Sequence, residues 1–126
     1  MKDEPDKKQE PGDLRVRTKQ FALRIVRLYS ALPSSVVAQV LGKQLLRSGT
    51  SVGAHFREAT RSRSDAEFIS KVEGALQELD ETVYWLELLA EGEVINSTRL
   101  GDLMEEADQL IAILVTCVRN AKSRRE

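Results

Sequence analysis

Few residues in this chain are equipped for chemistry, and charge is commoner among them than catalytic potential. His55 and Cys117 are the only histidine and the only cysteine in 126 residues. A zinc site needs several such ligands to converge, so no metal is expected. Cys117 stands in the apolar run Ile113-Leu114-Val115-Thr116-Cys117-Val118, where a thiol serves as a small hydrophobe rather than a redox group. His55 has only scattered serines for company. A hydrogen-bonded role at a helix contact fits it better than a nucleophilic triad. Glu73, Glu78, Asp80, Glu81 and Glu87 mostly alternate with apolar positions and read as a solvated face. Neither Glu-x-x-His pair of a di-metal bundle occurs. Gly49 and Gly53 lack the preceding strand and the G-K-[ST] of a phosphate loop. No enzyme activity, cofactor or metal is expected.

What remains is positive charge, and its distribution matters more than its total. Lysine and arginine number 19 against 20 aspartates and glutamates, for a net charge of −1. Residues 13–63 nevertheless carry 10 basic and 2 acidic side chains, whereas residues 64–108 carry 2 basic and 13 acidic. Asymmetry of this size marks an interaction surface even when the sum is near zero. The composition, 41% apolar and 31% charged, is that of a soluble globular domain. No apolar run reaches the ~18 residues of a membrane span and no signal-peptide core precedes the charged N-terminus. A cytoplasmic location is therefore expected.

Helices must position these charges. Residues 1–13, broken by Pro5 and Pro11, read as a disordered tail, with Asp13 able to cap the first helix. Leu14, Phe21, Ile25, Leu28, Tyr29 and Leu32 recur at helical spacing, and Pro33 ends that helix. Ser34 or Ser35 caps a second helix, with Val37, Val40, Leu41, Leu45, Ser48, Val52, Phe56 and Ala59 on one face. Ser64-Asp65-Ala66-Glu67 has the form of a capping box and opens a third helix, which runs to about Glu91. Gly92 suits its stop. Asn96 or Ser97 restarts the chain into a fourth helix, and residues 122–126 are expected to fray. The domain thus spans 14–121 as an all-α, up-down-up-down antiparallel four-helix bundle.

That topology predicts where the charges gather. The start of helix one, the end of helix two, the start of helix three and the end of helix four share one end of the bundle. Arg15, Arg17, Lys19, Arg57, Arg61, Arg63, Arg119, Lys122, Arg124 and Arg125 are expected there as a nucleic-acid-binding set. Glu87, Glu91, Glu93, Asp102, Glu105 and Glu106 fall at the opposite end, about 40 Å away by helix rise. Aromatic residues are scarce at the basic end, which favours phosphate contacts over base stacking. The apolar arcs of helices three and four are broad for a small bundle, which predicts an oligomer. Gly49, Val52, Gly53, Phe56, Tyr84, Trp85 and Leu88 are its candidate interface. Tight packing between helices of one chain is the competing and favoured reading of the two glycines, and a subunit contact or the approach of a ligand is the sharper one. A leucine at Gly53 is expected to disrupt folding or assembly.

Several stretches together resemble a known family. They are Leu32-Pro33, Gln44-Leu45-Leu46-Arg47, Ser48-Gly49-Thr50-Ser51-Val52-Gly53-Ala54, Arg57-Glu58-Ala59, Arg63-Ser64, Glu67-Phe68 and the run Asp80-Glu81-Thr82-Val83-Tyr84-Trp85-Leu86-Glu87-Leu88-Leu89. On these, residues 20–120 are similar to the four-helix-bundle proteins called intervening-sequence proteins, some of which are encoded within large-subunit ribosomal RNA genes. The departure is His55, where relatives usually carry asparagine. The resemblance implies a homopentameric barrel without known catalytic residues. A related group serves as the accessory protein of diversity-generating retroelements and binds a reverse transcriptase and nucleic acid. Two roles are therefore expected to compete: binding of RNA or DNA at the basic end, and a scaffold for a protein such as a reverse transcriptase.

Overall fold

The computed structural model describes residues 11–125, in which four helices, α1 Pro11–Ser30, α2 Val36–Ala59, α3 Asp65–Glu91 and α4 Gly101–Arg125, account for nearly all of the chain. A short 3-10 turn, Ser97–Arg99, precedes α4. Among the described residues there is no strand. The expected tail falls largely on residues 1–10, outside the described residues. Its last three positions are helical: α1 starts at Pro11, so Asp13 lies in the first turn rather than at the cap, where a carboxylate favours the positive end of the helix. At the other terminus α4 extends to Arg125 and includes residues 122–125, the stretch expected to fray.

The helix boundaries follow from local chemistry. Ser35 caps α2 by accepting from the Ala38 amide at 3.2 Å. Ser64 caps α3 by accepting from the Glu67 amide at 3.1 Å. Glu67 reaches back one residue further than a standard capping box, accepting from the Arg63 amide at 2.9 Å. After α3 the left-handed residue is Glu93, with φ 60°, and not Gly92. The Val94 amide bonds the Leu89 carbonyl at 3.0 Å and the Glu93 amide the Ala90 carbonyl at 3.1 Å, which is a Schellman closure with glutamate in the position usually held by glycine. Gly92 is needed for a different reason, since a Cβ there would stand 2.7 Å from the Leu88 carbonyl oxygen.

Each helix buries a seam of residues spaced three or four apart. On α2 the seam is Ala38, Gly42, Leu45, Gly49, Val52, Phe56 and Ala59, close to the 3.5-residue period of coiled-coil packing. This corrects the predicted face in its first turns, where Val37 and Val40 lie outside and the core position goes to Ala38. Glycine holds two seam positions because α1 comes close. A Cβ on Gly42 would meet the Leu32 side chain at 2.6 Å, and one on Gly49 would meet Ile25 at 2.8 Å. The helix nonetheless runs through both glycines without a break.

Consecutive helices are antiparallel. Residues 42, 49 and 53 of α2 face, in reverse order, Tyr29 and Leu32 at and just beyond the end of α1, then Ile25 and Thr18 back along it. Across α2 and α3 the buried hydroxyls of Ser48 and Thr82 share a hydrogen bond of 2.9 Å. Arg47 of α2 pairs with Glu78 and Glu81 of α3, and Lys71 of α3 pairs with Glu58 of α2. Between α3 and α4, Arg124 reaches Asp65 at 3.2 Å and Lys122 stands 3.6 Å from Glu73. The α1–α4 seam is the thinnest of the four. There Leu28 and Ala31 near the end of α1 line one groove with Leu100 and Leu103. Further along, Arg17 clasps Glu106 at 2.7 and 2.9 Å and Gln109 at 2.7 Å.

Candidate nucleic-acid interface

Arg17 and Glu106 are the first correction to the predicted basic end. Helix order alone places them at opposite ends, yet they form a two-pronged ion pair in which both side chains are only 19% exposed. The hydrogen bond from Arg17 to Glu106 raises the arginine pKa further above its usual value. A guanidinium held this way by carboxylate and amide oxygens is committed to the fold. Arg17 leaves the candidate set.

The remaining nine cations do not form one cluster. Arg15 and Lys19 of α1 and Arg57 and Arg61, from the last turn of α2 and just beyond it, line a single groove of about 470 Å³. Arg63 and Arg124 border a second hollow with Asp65, to which Arg124 is bonded. Arg119 and Lys122 line a third groove, between α3 and α4, with Glu73 and the apolar Leu76, Val115 and Val118. Arg125 is exposed in the last turn of α4. The reason is lateral. Helix ends that share a level along the bundle still face different neighbours, and the acidic α3 neutralises the cations that α4 presents to it.

In the α1–α2 groove that neutralisation is missing. Arg15, Lys19, Arg57 and Arg61 have no carboxylate partner among the described residues. The one carboxylate in the lining, Glu58, accepts a hydrogen bond from Lys71 at 3.0 Å. That bond holds its pKa below the usual carboxylate value, so at neutral pH Glu58 is an anion already matched with a cation outside the groove. The Nε of Arg15 is enclosed and has no acceptor among the described residues, an uncommon state for a charged donor. The floor is made by the small residues Ala22, Thr50, Gly53 and Ala54, of which Ala22 and Thr50 are not singled out by sequence reasoning. Their signal is present as small side chains repeated at helical spacing between basic ones.

Gly53 separates from Gly49 here. A Cβ on Gly53 would stand 3.4 Å from the Thr18 hydroxyl and 3.5 Å from its backbone, an ordinary contact. Packing therefore demands glycine at 49 and not at 53, although glycine in a helix interior costs about 0.5–1 kcal/mol relative to alanine. At the level of the Cβ, the steric conflict lies at Gly49 rather than at Gly53.

The candidate subunit interface divides as well. Gly49, Val52 and Phe56 are buried inside the chain against its own helices and present no surface. Gly53, Trp85 and Leu88 are half-buried. Tyr84 is exposed and stands edge-on to Trp85, with ring centroids 5.2 Å apart. The larger exposed apolar surface lies elsewhere. Val36, Val37 and Val40 open α2, with Val36 78% exposed, and Val16, Leu23 and Val26 are exposed on α1. A sequence signal exists for the α2 valines: residues 28–42 carry no charge in a chain that is 31% charged. His55, the departure from the resemblance, stands against Gly74, where a Cβ would meet its Nδ1 at 3.1 Å, and its Nε2 lies 3.9 Å from Glu78. Burial raises the pKa of the half-buried Cys117 thiol. No described helix is long and apolar enough to cross a membrane.

No curated protein matches the chain. One similar solved structure is the crystal structure, at 1.70 Å resolution, of a protein of unknown function from the S23 ribosomal protein family of Bacteroides thetaiotaomicron. It is 38% identical, covers 86% of this chain and 97% of its own, and superposes with a TM-score of 0.81. The model of the 23S rRNA-intervening sequence proteins matches residues 13–116, from the first turn of α1 into the second half of α4. With that match over most of its length and the same fold in a 38% identical structure, the chain belongs to the 23S rRNA-intervening sequence protein family.

Proposed function

We propose that this protein works by binding rather than by catalysis, as a homo-oligomeric bundle that holds RNA or DNA through backbone phosphates on its α1–α2 side. One observation carries the reading: Arg15, Lys19, Arg57 and Arg61 share a groove and have no carboxylate partner among the described residues. Most of the other basic side chains near that end are paired or face the acidic α3. The net charge of −1 does not oppose this. Screening at physiological salt acts over about 8 Å, and acidic groups such as Glu91 and Glu93 at the end of α3 lie several such lengths from the groove by helix rise. Phosphate contacts position a nucleic acid without reading its bases, so binding is expected to be tolerant of sequence and steeply salt-dependent. Fluorescence anisotropy with labelled RNA and DNA tests it. Binding of at least one at low salt, lost progressively as salt is added, is the expected result. No binding of either would sink the reading.

The exposed valines favour a protein contact at a separate place. Val36, Val37 and Val40 in an uncharged stretch, with Val16, Leu23 and Val26 on α1, are the apolar surface that a second copy of the chain would cover. A homopentamer is the assembly the family resemblance implies. Light scattering that returned a monomer mass at micromolar concentration would remove the oligomer, whereas a dimer or tetramer would remove only the pentamer. The same surface supports the alternative role as a scaffold for another protein, for example a reverse transcriptase. A pull-down from the host separates the two roles by what it recovers.

A further inference from the structure

Taking the nucleic-acid reading as its basis, we infer that the α1–α2 groove is the phosphate track itself. In this assignment one sugar-phosphate strand lies along the groove over the floor of small residues at Gly53 and Ala54, its bases turned outward.

Three independent features converge on it. The first is the linear order of the cations. Thr18 faces Gly53 in antiparallel register, so Lys19 lies just to one side of that level and Arg15 to the other. Arg57 and Arg61 follow Gly53 by one and two turns. The four are strung along about 13 Å of helix axis, long enough to meet more than one phosphate of a strand laid along it. The second is the enclosed Nε of Arg15, which lacks an acceptor among the described residues. A turn of the Arg15 guanidinium into the groove gives this donor a phosphate oxygen as the acceptor it otherwise lacks. The third is Gly53. Its neighbours leave room for a methyl group, yet the position is glycine, at a cost in helix propensity. A ligand backbone approaching the helix explains the missing side chain where packing does not. No aromatic residue lines the groove, so nothing there stacks on bases.

The test compares variants of the intact chain, with labelled RNA and DNA oligonucleotides of equal length as probes and circular dichroism to confirm the fold. Lys19, Arg57 and Arg61 are exposed, and Lys19→Gln/Arg57→Gln/Arg61→Gln removes them without touching the core. This triple variant should bind at least tenfold more weakly at low salt. Its slope of log affinity against log salt should flatten by about 2 for a single strand and about 3 for a duplex. Arg63→Gln/Arg119→Gln/Arg125→Gln removes equal charge outside the groove and should cost less than threefold. Gly53→Leu, which changes no charge, should lower affinity by filling the floor. Should it fail to fold, Ala54→Glu at an exposed position serves in its place. Equal losses from the two triple variants, or a groove variant that binds like the unmodified chain, would overturn the track while leaving nucleic-acid binding standing. Failure of the unmodified chain to bind either probe would overturn both.

Discussion

Two grooves of this bundle are lined by cations and end in different electrostatic states. Between α3 and α4, Arg119 and Lys122 lie over an apolar floor beside Glu73, and α3 supplies the carboxylate that Lys122 approaches. Between α1 and α2, four cations share a groove whose single carboxylate is bonded to Lys71. The difference comes from the helices that make each wall. Residues 13–63 contain only two acidic side chains, Asp13 and Glu58, so α1 and α2 cannot neutralise themselves. A count of basic residues near a helix end is thus a poor guide to a binding surface. What matters is whether the neighbouring helix has carboxylates to set against them.

The comparison can be broken first in the walls. Gly49→Leu should cost about 3 kcal/mol, because its Cβ alone would press the stiff, β-branched Ile25 at 2.8 Å. Gly53→Leu, one turn on, should cost well under half of that and leave the chain folded. Urea denaturation with matched m-values reads both, and equal losses would show that the two glycines do the same job. Next comes charge. Ala54→Glu gives the α1–α2 groove a free carboxylate and so makes it like its counterpart. Affinity for nucleic acid at low salt should fall about tenfold, or about 1.4 kcal/mol, with the melting temperature nearly unchanged.

Arg17 offers a control that sharpens the distinction. Arg17→Ala should lower stability by about 1 kcal/mol, since the pair with Glu106 is partly shielded and two-pronged. It should leave nucleic-acid affinity within twofold. A large loss of binding would return Arg17 to the interface. The smallest effect is expected from Glu73→Gln, which releases Lys122 and Arg119 from their carboxylate neighbour. Binding should strengthen by twofold or less, about 0.4 kcal/mol, because Lys122 and Glu73 are exposed and already screened.

Much of the architecture is legible in the chain. Ser35 and Ser64 are readable as caps because their hydroxyls satisfy amides two or three residues on, a strictly local matter. Pro33 and the capping box bracket α2 and α3 for the same reason. The face of α2 is misleading at Val37 and Val40, since hydrophobicity cannot register Gly42 and Gly49 as core positions. They enter the core by admitting Tyr29, Leu32 and Ile25 rather than by burying side chains of their own. The Schellman turn at Glu93 leaves no mark in the sequence because its cost is met by backbone bonds to Leu89 and Ala90, not by residue type.

By itself, then, the sequence determined the four helices, their antiparallel order and the division of charge between the first and second halves. Those depend on periodicity, caps and composition, which act within a few residues. Only the tertiary structure decided which cations remain free. Arg17 and Glu106 are 89 residues apart, and whether they meet depends on the stagger of α4 against α1. Arg15, Lys19, Arg57 and Arg61 come together because Gly42 and Gly49 let α1 and α2 approach in one particular register. Pairing between distant charges is a property of helix faces and their offsets, and neither is written in any local stretch of residues.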